Sequence, residues 1–296
     1  MDLHKLEVFC NVIEQKSFTK AARTLRLSQP TVSEHIRILE TEANQQLLNR
    51  TGRAVLPTNA GKLLYRYSKK MLRLQEETIQ SLLHFSGKMI GRLAIGAGTI
   101  PGAYLLPEKI GRFKEHYPDI NISLQITGSR TIAGAIMDGE LEMGVLGAKW
   151  RDSALQWQDI YSDRLSLVAH PSHPWTKKKE ISLRELYQGE FILRERNSGT
   201  RHATTKILAD YGLELEQLNI VAEIGSTEAV RQSVKAGIGL SFLSSLAVKE
   251  DLKRNKLAEI NIHGVKMQRP LYLVTRKKGA LSPLCNGFIE MLLEEL

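Results

Sequence analysis

The sequence predicts an α/β protein in which a mostly helical N-terminal part precedes a longer region of alternating strands and helices. Three observations support this fold class. Residues 1–57 carry apolar side chains at helical spacing, beginning with a helix near Asp2 to Lys16. Residues 58–86 contain no proline and only one glycine, Gly61, which predicts one long helix. From Arg92 onward, short apolar runs alternate with helical patterns, which indicates open, mostly parallel sheets.

Residues 17–61 predict two short helices that pack at a steep angle. Ala21 and Ala22 are small enough to let one helix approach another closely, and Ser28 followed by Pro30 is typical of a helix start. The apolar residues of this segment recur at helical spacing and fill one small core: Leu25, Leu27, Val32, Ile36 and Leu39. This pattern predicts a helix-turn-helix.

The second helix of this pair is suited to contact DNA. The side chains near its start that do not face the core are polar and long enough to reach base edges or phosphates in a major groove. Residues 50–57 predict a tight turn between two short strands, a wing whose flanking arginines could hold phosphates or could simply be solvated. The predicted DNA contacts are Thr19, Gln29, Pro30, Thr31, Ser33, Glu34, Arg37, Arg50 and Arg53.

The charge distribution favours nucleic acid as the partner. Residues 1–90 contain 14 Lys and Arg residues against 8 Asp and Glu, whereas the rest of the chain has 27 against 24, within a net charge of +9. A membrane surface would instead require a basic amphipathic helix with an apolar face. The absence of a long apolar run and of a signal peptide predicts a cytoplasmic protein. Cys10 and Cys285 are then expected to be reduced thiols, with a redox-sensing pair as the alternative.

The long helix carries a row of mainly apolar residues at spacings of three and four, which predicts a dimerisation seam against a second copy. Packing against its own chain is the alternative. The predicted seam residues are Leu64, Tyr67, Met71, Leu74, Thr78 and Leu82. We therefore predict a DNA-binding domain at residues 1–57, a dimerisation helix and hinge at residues 58–88, and an α/β domain at residues 89–296. In that last domain the candidate strands are residues 92–97, 120–126, 143–146, 165–169, 190–193, 220–224, 239–243 and 271–275, with helices near 104–116, 130–138, 200–211 and 227–236.

Anchor residues spread over the first sixty positions resemble the DNA-binding domain of LysR-type transcriptional regulators. They include Phe9, Ser17-Phe18-Thr19, Ala21-Ala22, Leu27-Ser28-Gln29-Pro30, Val32-Ser33, Ile36, Leu39-Glu40, Arg50, Arg53, Leu56, Thr58 and Ala60-Gly61. The chain departs from the family pattern at Ala43-Asn44, where Leu-Gly is usual, and at Leu48, where an aromatic residue is usual. Asn44 can adopt the left-handed conformation that glycine would give.

The resemblance implies the rest of the architecture. The α/β domain would be a regulatory domain, a two-lobed module like a type 2 periplasmic binding protein, with lobe one at residues 89–162 and 268–296 and lobe two at residues 163–267. It also implies a homodimer that pairs into a tetramer, double-stranded promoter DNA and RNA polymerase as partners, no cofactor and no enzymatic activity. Segments 1–10 and 197–201 most resemble regulators linked with sulfur or selenium metabolism.

Hydroxyl and glycine residues follow several predicted strands, where open α/β sheets bind ligands against helix N-termini. These side chains favour a small anionic metabolite, although serine and threonine also cap helices without binding a ligand. Arg194 or Arg201 could neutralise the anion or could pair locally with Glu195 or Glu228. The predicted effector contacts are Thr99, Ile100, Ser129, Arg194, Ser198, Thr200, Arg201 and Thr227.

Other chemistry fits the sequence less well. His170 and His173 have a metal-like spacing but lack nearby acidic or cysteine ligands, so no metal is expected. Residues 237–239 lack the third glycine of a dinucleotide site, and no nucleophile and base are recognisable. Residues 177–179, three lysines, predict a solvated loop, with an auxiliary DNA contact as the alternative. A solute-binding protein would leave the helix-turn-helix without a role, and an enzyme would lack catalytic groups.

Overall fold

The computed structural model describes residues 1–49, 54–85, 89–150 and 152–294. The chain divides into two compact units, Met1–Lys88 and Met89–Leu296. Within the described ranges, no helix has the combined length and apolar character that crossing a bilayer requires.

The N-terminal unit consists of helices around one small core and a short two-stranded sheet. Its elements are α1 (Leu3–Gln15), α2 (Phe18–Leu25), α3 (Gln29–Ala43), β1 (Leu48–Asn49), β2 (Leu56–Pro57) and α4 (Asn59–Phe85). The core buries residues from all three short helices and from the segment leading into β1: Leu6, Phe9, Ala21, Ala22, Val32, Ile36, Leu39, Leu47 and Leu48. The predicted helix-turn-helix is therefore formed, and β1 pairs with β2 in antiparallel fashion as the predicted wing requires.

Side-chain caps fix where the three short helices begin. The side chains of Asp2, Ser17 and Ser28 each accept a hydrogen bond from a backbone N–H in the first turn. All three helices end on a non-glycine residue in the left-handed conformation, and at the end of α3 this residue is Asn44, with φ of 47°. Asn44 thus adopts the left-handed conformation that glycine could also give, as expected.

The C-terminal unit contains nine strands, seven α-helices and three short 3₁₀ helices within the described residues. The strands are β3 (Gly91–Ala97), β4 (Ile120–Ile126), β5 (Met143–Leu146), β6 (Leu155–Ala169), β7 (Glu190–Arg194), β8 (Asn219–Ile224), β9 (Ser241–Ser244), β10 (Ala258–Ile260) and β11 (Gln268–Arg276). The helices are α5 (Thr99–Tyr104), α6 (Leu106–His116), α7 (Ser129–Asp138), α8 (Gly199–Asp210), α9 (Thr227–Lys235), α10 (Ser245–Lys253) and α11 (Pro283–Glu294).

Two long strands connect two lobes within this unit. The first half of β6 pairs with β11 and extends the sheet of β5, β3 and β4, whereas its second half pairs with β9 and β10. Separate hydrophobic cores lie on the two sides of this crossover, one around Phe113 and Phe288 and the other around Phe191 and Phe242. The C-terminal unit, Met89–Leu296, is thus two-lobed; it is called the effector unit below.

Several details differ from the sequence-based expectation. The sheets are mixed rather than mostly parallel, because β6 and β11 run antiparallel to each other and β11 also runs antiparallel to β5. The predicted strand at residues 165–169 is the second half of β6, whose polar first half hides its strand character. The helix predicted at residues 104–116 is interrupted at Leu105, because Pro107 starts a new helix there. Helices α5, α10 and α11 and strand β10 were not predicted.

Candidate functional site

The exposed face of α3 carries most of the predicted DNA contacts. Its first turn is fixed by Ser28, whose hydroxyl accepts from the backbone N–H of Thr31 and lies 2.7 Å from the Thr31 hydroxyl. Gln29 donates from Nε2 to the Ser33 hydroxyl at 2.9 Å. Gln29, Pro30 and Thr31 are exposed, and so is Thr19 on α2. The helix therefore presents hydrogen-bond donors and acceptors on the face opposite its buried apolar residues.

Arg37 and Glu34 form an exposed bidentate ion pair one turn further along α3. The Arg37 guanidinium donates from Nε to Oε2 at 2.8 Å and from Nη2 to Oε1 at 2.6 Å. This contact lowers the pKa of the Glu34 carboxyl through the hydrogen bond and charge of Arg37. Glu34 thus holds the guanidinium of Arg37 in one orientation on the exposed surface of α3. Arg50 and Arg53, the predicted phosphate contacts of the wing, lie outside the described residues.

Five of the eight predicted effector contacts line one cavity between the two lobes. Lobe one contributes α5 and the start of α7, and lobe two contributes the start of α8; the predicted residues here are Thr99, Ile100, Ser129, Ser198 and Thr200. The cavity measures about 10 Å³, which is room for about one water molecule. Helices α7 and α8 both begin at this cavity, so that their N-terminal dipole ends favour a negative ligand.

Glycines bring the two lobes into contact around this cavity. A Cβ atom on Gly199 of lobe two would lie 2.9 Å from the Ser129 hydroxyl and 3.3 Å from the carbonyl carbon of Gly147. A Cβ atom on Gly128 would lie 3.2 Å from the Asn197 carbonyl oxygen. Larger residues at these positions would hold the lobes apart, so these glycines permit the closed arrangement.

The other three predicted effector contacts do not line this cavity. Arg194 is buried, donates to the Thr227 hydroxyl, and pairs with Glu195 through two bonds of 2.8 Å. Arg201 donates from Nη1 to Glu223 at 2.6 Å and to the backbone carbonyl oxygen of Arg194 at 2.9 Å. The local pairing with Glu195 was the foreseen alternative for Arg194, whereas Arg201 uses Glu223 and not Glu228. Arg194 therefore connects the end of β7 to α9. Arg201 connects α8 to β8 and to the end of β7. Both arginines thus stabilise lobe two.

The cavity instead contains an arginine that the sequence analysis missed. Arg269 on β11 is 4% exposed and lines the cavity. Its guanidinium pairs with Asp163 of β6: Nε donates to Oδ2 at 2.9 Å, and Nη2 lies 2.8 Å from the same oxygen. Ser244 donates to the other oxygen at 2.7 Å. Burial lowers the pKa of the guanidinium while Asp163 opposes that shift, and arginine remains protonated. One signal in the sequence could have found this pair. Asp163 and Arg269 carry opposite charges, and each lies next to a predicted boundary between the lobes, at residues 163 and 268.

The remaining candidate groups have structural roles. Burial raises the pKa of the Cys10 thiol to about 12, so that this thiol is a poor nucleophile, and Cys285 is also buried. His173 accepts the backbone N–H of Trp175 and thereby caps a short 3₁₀ helix, Pro174–Lys177. His170 lies 2.7 Å from the Ser172 hydroxyl. Among the described residues, no group of three or more potential metal ligands forms a cluster.

Comparison with known proteins agrees with this two-unit organisation. A family model described as "Bacterial regulatory helix-turn-helix protein, lysR family" matches residues 3–62, and one described as "LysR substrate binding domain" matches residues 86–296. A probable RuBisCO transcriptional regulator of Cyanidium caldarium is 34% identical over 297 residues, covering 98% of this chain and 94% of the relative.

Two solved structures share the fold. Full-length CbnR in complex with its target DNA aligns with a TM-score of 0.73 at 20% identity, covering 100% of both chains. The regulatory domain of CcmR from Synechocystis PCC6803 in complex with 2-PG aligns with a TM-score of 0.63 at 26% identity, covering 69% of this chain and 97% of that one. With its helix-turn-helix and its two-lobed effector-binding unit, the chain belongs to the LysR family of DNA-binding transcriptional regulators.

Proposed function

We propose that this regulator binds an interrupted palindrome in promoter DNA as a homodimer or a dimer of dimers, and that a small anion between its effector lobes controls this binding. The observation that carries the DNA-binding part is the exposed polar face of α3, where Gln29, Thr31 and the Arg37–Glu34 pair stand above a closed core. CbnR, whose fold this chain shares, is known in complex with its target DNA. Both the family and the relatives are regulators, and we propose no enzymatic activity for this chain.

The lining of the inter-lobe cavity supports an anionic effector. Hydroxyl groups of Thr99, Ser129 and Thr200 surround it, and Arg269 adds a buried guanidinium. The Arg269 Nη1 atom donates to the Gly147 carbonyl oxygen at a long distance of 3.4 Å, so that an anion offers this group a better acceptor. Of Arg194, Arg201 and Arg269, Arg269 alone lines this cavity, and we therefore assign it as the charge partner of the effector.

The small size of the cavity suggests how the effector acts. An ion larger than a water molecule enters only if the lobes move apart, because the glycine contacts between them are already close. The ligand then shifts the lobes toward a more open arrangement, to the extent that it binds this arrangement more tightly than the closed one. In an oligomer of this chain, such a change alters the spacing of the DNA-binding units, the bend of the promoter and its access to RNA polymerase.

Two classes of small anion are candidates for the effector. The resemblance of two segments to sulfur- and selenium-linked regulators suggests an oxyanion such as sulfate or selenate. The relatives named as RuBisCO regulators, and CcmR with its bound 2-PG, suggest a phosphorylated organic acid. The two classes share a tetrahedral oxyanion, which hydroxyl groups, helix N-termini and a guanidinium can bind together.

A mobility-shift experiment on the DNA upstream of the coding sequence tests the DNA-binding proposal. With competitor DNA in excess and at fixed salt, Arg37→Ala should weaken specific binding by roughly 1–3 kcal/mol, because one base contact is lost. Arg112→Ala, which removes an exposed arginine from the effector unit, should leave binding unchanged. Equal retention of wild-type and Arg37→Ala protein would exclude Arg37 from base recognition.

Calorimetric titration of the full-length protein with sulfate, selenate and 2-phosphoglycolate tests the effector proposal. Ser129→Ala removes a buried hydroxyl from the cavity and should weaken binding of the anion that binds best, by about 1 kcal/mol or more. Thr227→Ala serves as the matched control, because this equally buried hydroxyl lies outside the cavity. If Thr227→Ala weakens binding of an anion and Ser129→Ala does not, that anion binds outside the inter-lobe cavity.

A further inference from the structure

A second pocket lies within lobe two, beside the loop that connects β10 to β11. It has a volume of about 280 Å³ and is lined by residues of β6, β10, this loop and the start of β11. In the part of the chain that the structure describes, no residue lines both this pocket and the inter-lobe cavity. The pocket is therefore separate from the candidate effector site.

The register of the strands creates this pocket. Ile260 at the end of β10 lies opposite Leu167 of β6, and Gln268 at the start of β11 lies opposite Arg164 of the same strand. Residues 261–267 therefore connect two points of the sheet that are only three positions apart on β6. Because so many residues cannot follow the sheet over that distance, the loop leaves the sheet and a space remains beside β6.

Hydrogen bonds hold this loop in place around the pocket. At its start, the Asn261 carbonyl oxygen accepts from the backbone N–H of Ile181 at 2.9 Å. Near its end, the Tyr211 hydroxyl accepts from the backbone N–H of Lys266 at 3.1 Å. Gly264 makes the turn between these points with a φ of 72°. The pocket is thus a preformed feature of lobe two, as small-molecule sites usually are.

The floor of the pocket is apolar and aliphatic. It consists of the buried side chains Leu165, Leu167, Ile260 and Met267, with the partly buried Ile262 and Val265 beside them. All of these side chains belong to the same core of lobe two, so that the pocket opens onto that core. An aliphatic chain would gain dispersion contacts with each of them. None of the described residues that line the pocket is aromatic, which favours such a chain over a planar ring.

The mouth of the pocket carries one unbalanced positive charge. The Arg164 guanidinium pairs with Glu259 across the two strands through bonds of 2.7 and 3.0 Å, so these two charges offset each other. The exposed Lys266 side chain also lines the pocket, and none of the described carboxylates lies within ion-pair distance of its ammonium group. The mouth therefore complements a ligand with a single negative charge.

The volume of the pocket limits the size of this ligand. Pockets for drug-sized ligands generally measure about 300–1,000 Å³, and this pocket at about 280 Å³ lies just below that range. The space corresponds to roughly nine water molecules at about 30 Å³ each. An aliphatic acid of about eight carbons occupies a similar space.

We propose that this pocket is a second ligand site, which binds a medium-chain aliphatic carboxylate with its chain against Leu165, Leu167 and Val265 and its carboxylate beside Lys266. The ligand is bound end-on, because its chain enters the apolar floor while its charged end stays in water at the mouth. This site goes beyond the proposed effector function, since its ligand lies within lobe two and outside the inter-lobe cavity.

Titration calorimetry of the full-length protein with hexanoate and octanoate tests this site directly. We expect one octanoate molecule to bind per chain, about fifteenfold more tightly than hexanoate, because each buried CH₂ group contributes a factor of about four. The uncharged octanamide should bind the wild-type protein about threefold more weakly than octanoate, because it lacks the attraction to Lys266.

Two substitutions identify the pocket as the binding site. Val265→Phe adds bulk to the pocket wall and should weaken octanoate binding about tenfold. Tryptophan fluorescence, to which Trp175 of the same core contributes, reports whether lobe two is folded in this variant. Lys266→Gln should weaken binding about threefold, and as an exposed substitution it should leave the fold intact. Lys256→Gln is the matched control, because it makes the same change to an exposed lysine of lobe two that does not line the pocket.

The proposal is overturned if the wild-type protein does not bind octanoate, or if Val265→Phe and Lys266→Gln both bind it like the wild-type protein. Equal affinity for hexanoate and octanoate would also contradict it, because the chain would then lie outside the apolar floor. Ser129→Ala should bind octanoate normally, and weaker binding in this variant would place the acid in the inter-lobe cavity instead.

Discussion

Asp163 and Arg269 form a buried ion pair at the point where β6 and β11 pass between the lobes. Asp163 is 1% exposed and Arg269 is 4% exposed, so neither charge is screened by water. A pair of this kind adds little net stability compared with apolar residues, but removing one partner leaves the other charge buried and uncompensated. The pair therefore constrains both the stability of the effector unit and the chemistry of its cavity.

Asp163→Asn should destabilise the effector unit by roughly 3–5 kcal/mol, because the Arg269 guanidinium loses its counter-charge in the protein interior. Urea unfolding followed by tryptophan fluorescence measures this unit selectively, since all three tryptophans, Trp150, Trp157 and Trp175, lie within it. Asp159→Asn on the same strand is the control, and as an exposed substitution it should shift stability by no more than about 0.5 kcal/mol. Similar unfolding curves for the two variants would show that Arg269 does not depend on Asp163.

At the scale of elements, local signals predicted the N-terminal unit better than the effector unit. Ser28 and Pro30 gave the start of α3, and Asn44 its end, because caps and left-handed turns depend on a few adjacent residues. The extent of β6 and the pairing of Arg269 with Asp163 depend on residues 106 positions apart, which spacing and composition do not reveal. Arg201 was assigned to the effector for the same reason, since its partner Glu223 lies on another strand of the folded lobe. For Arg194 the adjacent Glu195 was already the alternative partner in the sequence.

Helix α4 is the element whose exposed surface most needs a partner. Leu63, Tyr67, Met71, Leu74 and Leu82 are each 44–68% exposed, and they recur at helical spacing. Leu64, the first residue of the predicted seam, differs from them because it is half-buried and packs against the core of its own unit. Thr78 is exposed and donates to the Leu74 carbonyl oxygen. The dimerisation seam remains a prediction, and in the described structure its exposed apolar row starts one residue earlier, at Leu63.

Leu74→Glu should dissociate the dimer if α4 forms this seam. Each leucine buried at an interface contributes about 1.5–3 kcal/mol, and the substitution removes two of them and places two charges together. The side chain is 63% exposed in the single chain, so the fold itself should tolerate the change. Sedimentation velocity at micromolar concentration would measure the loss, with Gln75→Glu as a control that adds the same charge about 100° around the helix. A dimer that withstands Leu74→Glu would place the seam elsewhere.

On the scale of the whole molecule, charge is concentrated in the unit that contacts DNA. Residues 1–90 carry an excess of six positive charges and the remaining residues an excess of three, although the second group is more than twice as long. Charges separated by more than about 8–10 Å are largely screened at physiological salt. We therefore expect the charge of the effector unit to add little to DNA affinity wherever its lysines and arginines lie farther than this from the phosphates.

The salt dependence of DNA binding tests this division of roles. Each phosphate contact contributes about 0.9 to the slope of log affinity against log salt concentration, so Arg53→Ala, which acts twice in a dimer, should reduce that slope by about 2 on operator and competitor DNA alike. Arg50→Ala should have the same effect, because both arginines are predicted to contact phosphates. Lys177→Gln removes one charge from the effector unit and should leave the slope unchanged, since a screened charge releases no counterions from DNA. A slope that falls equally in all three variants would mean that net charge, and not the wing, determines the electrostatic part of binding.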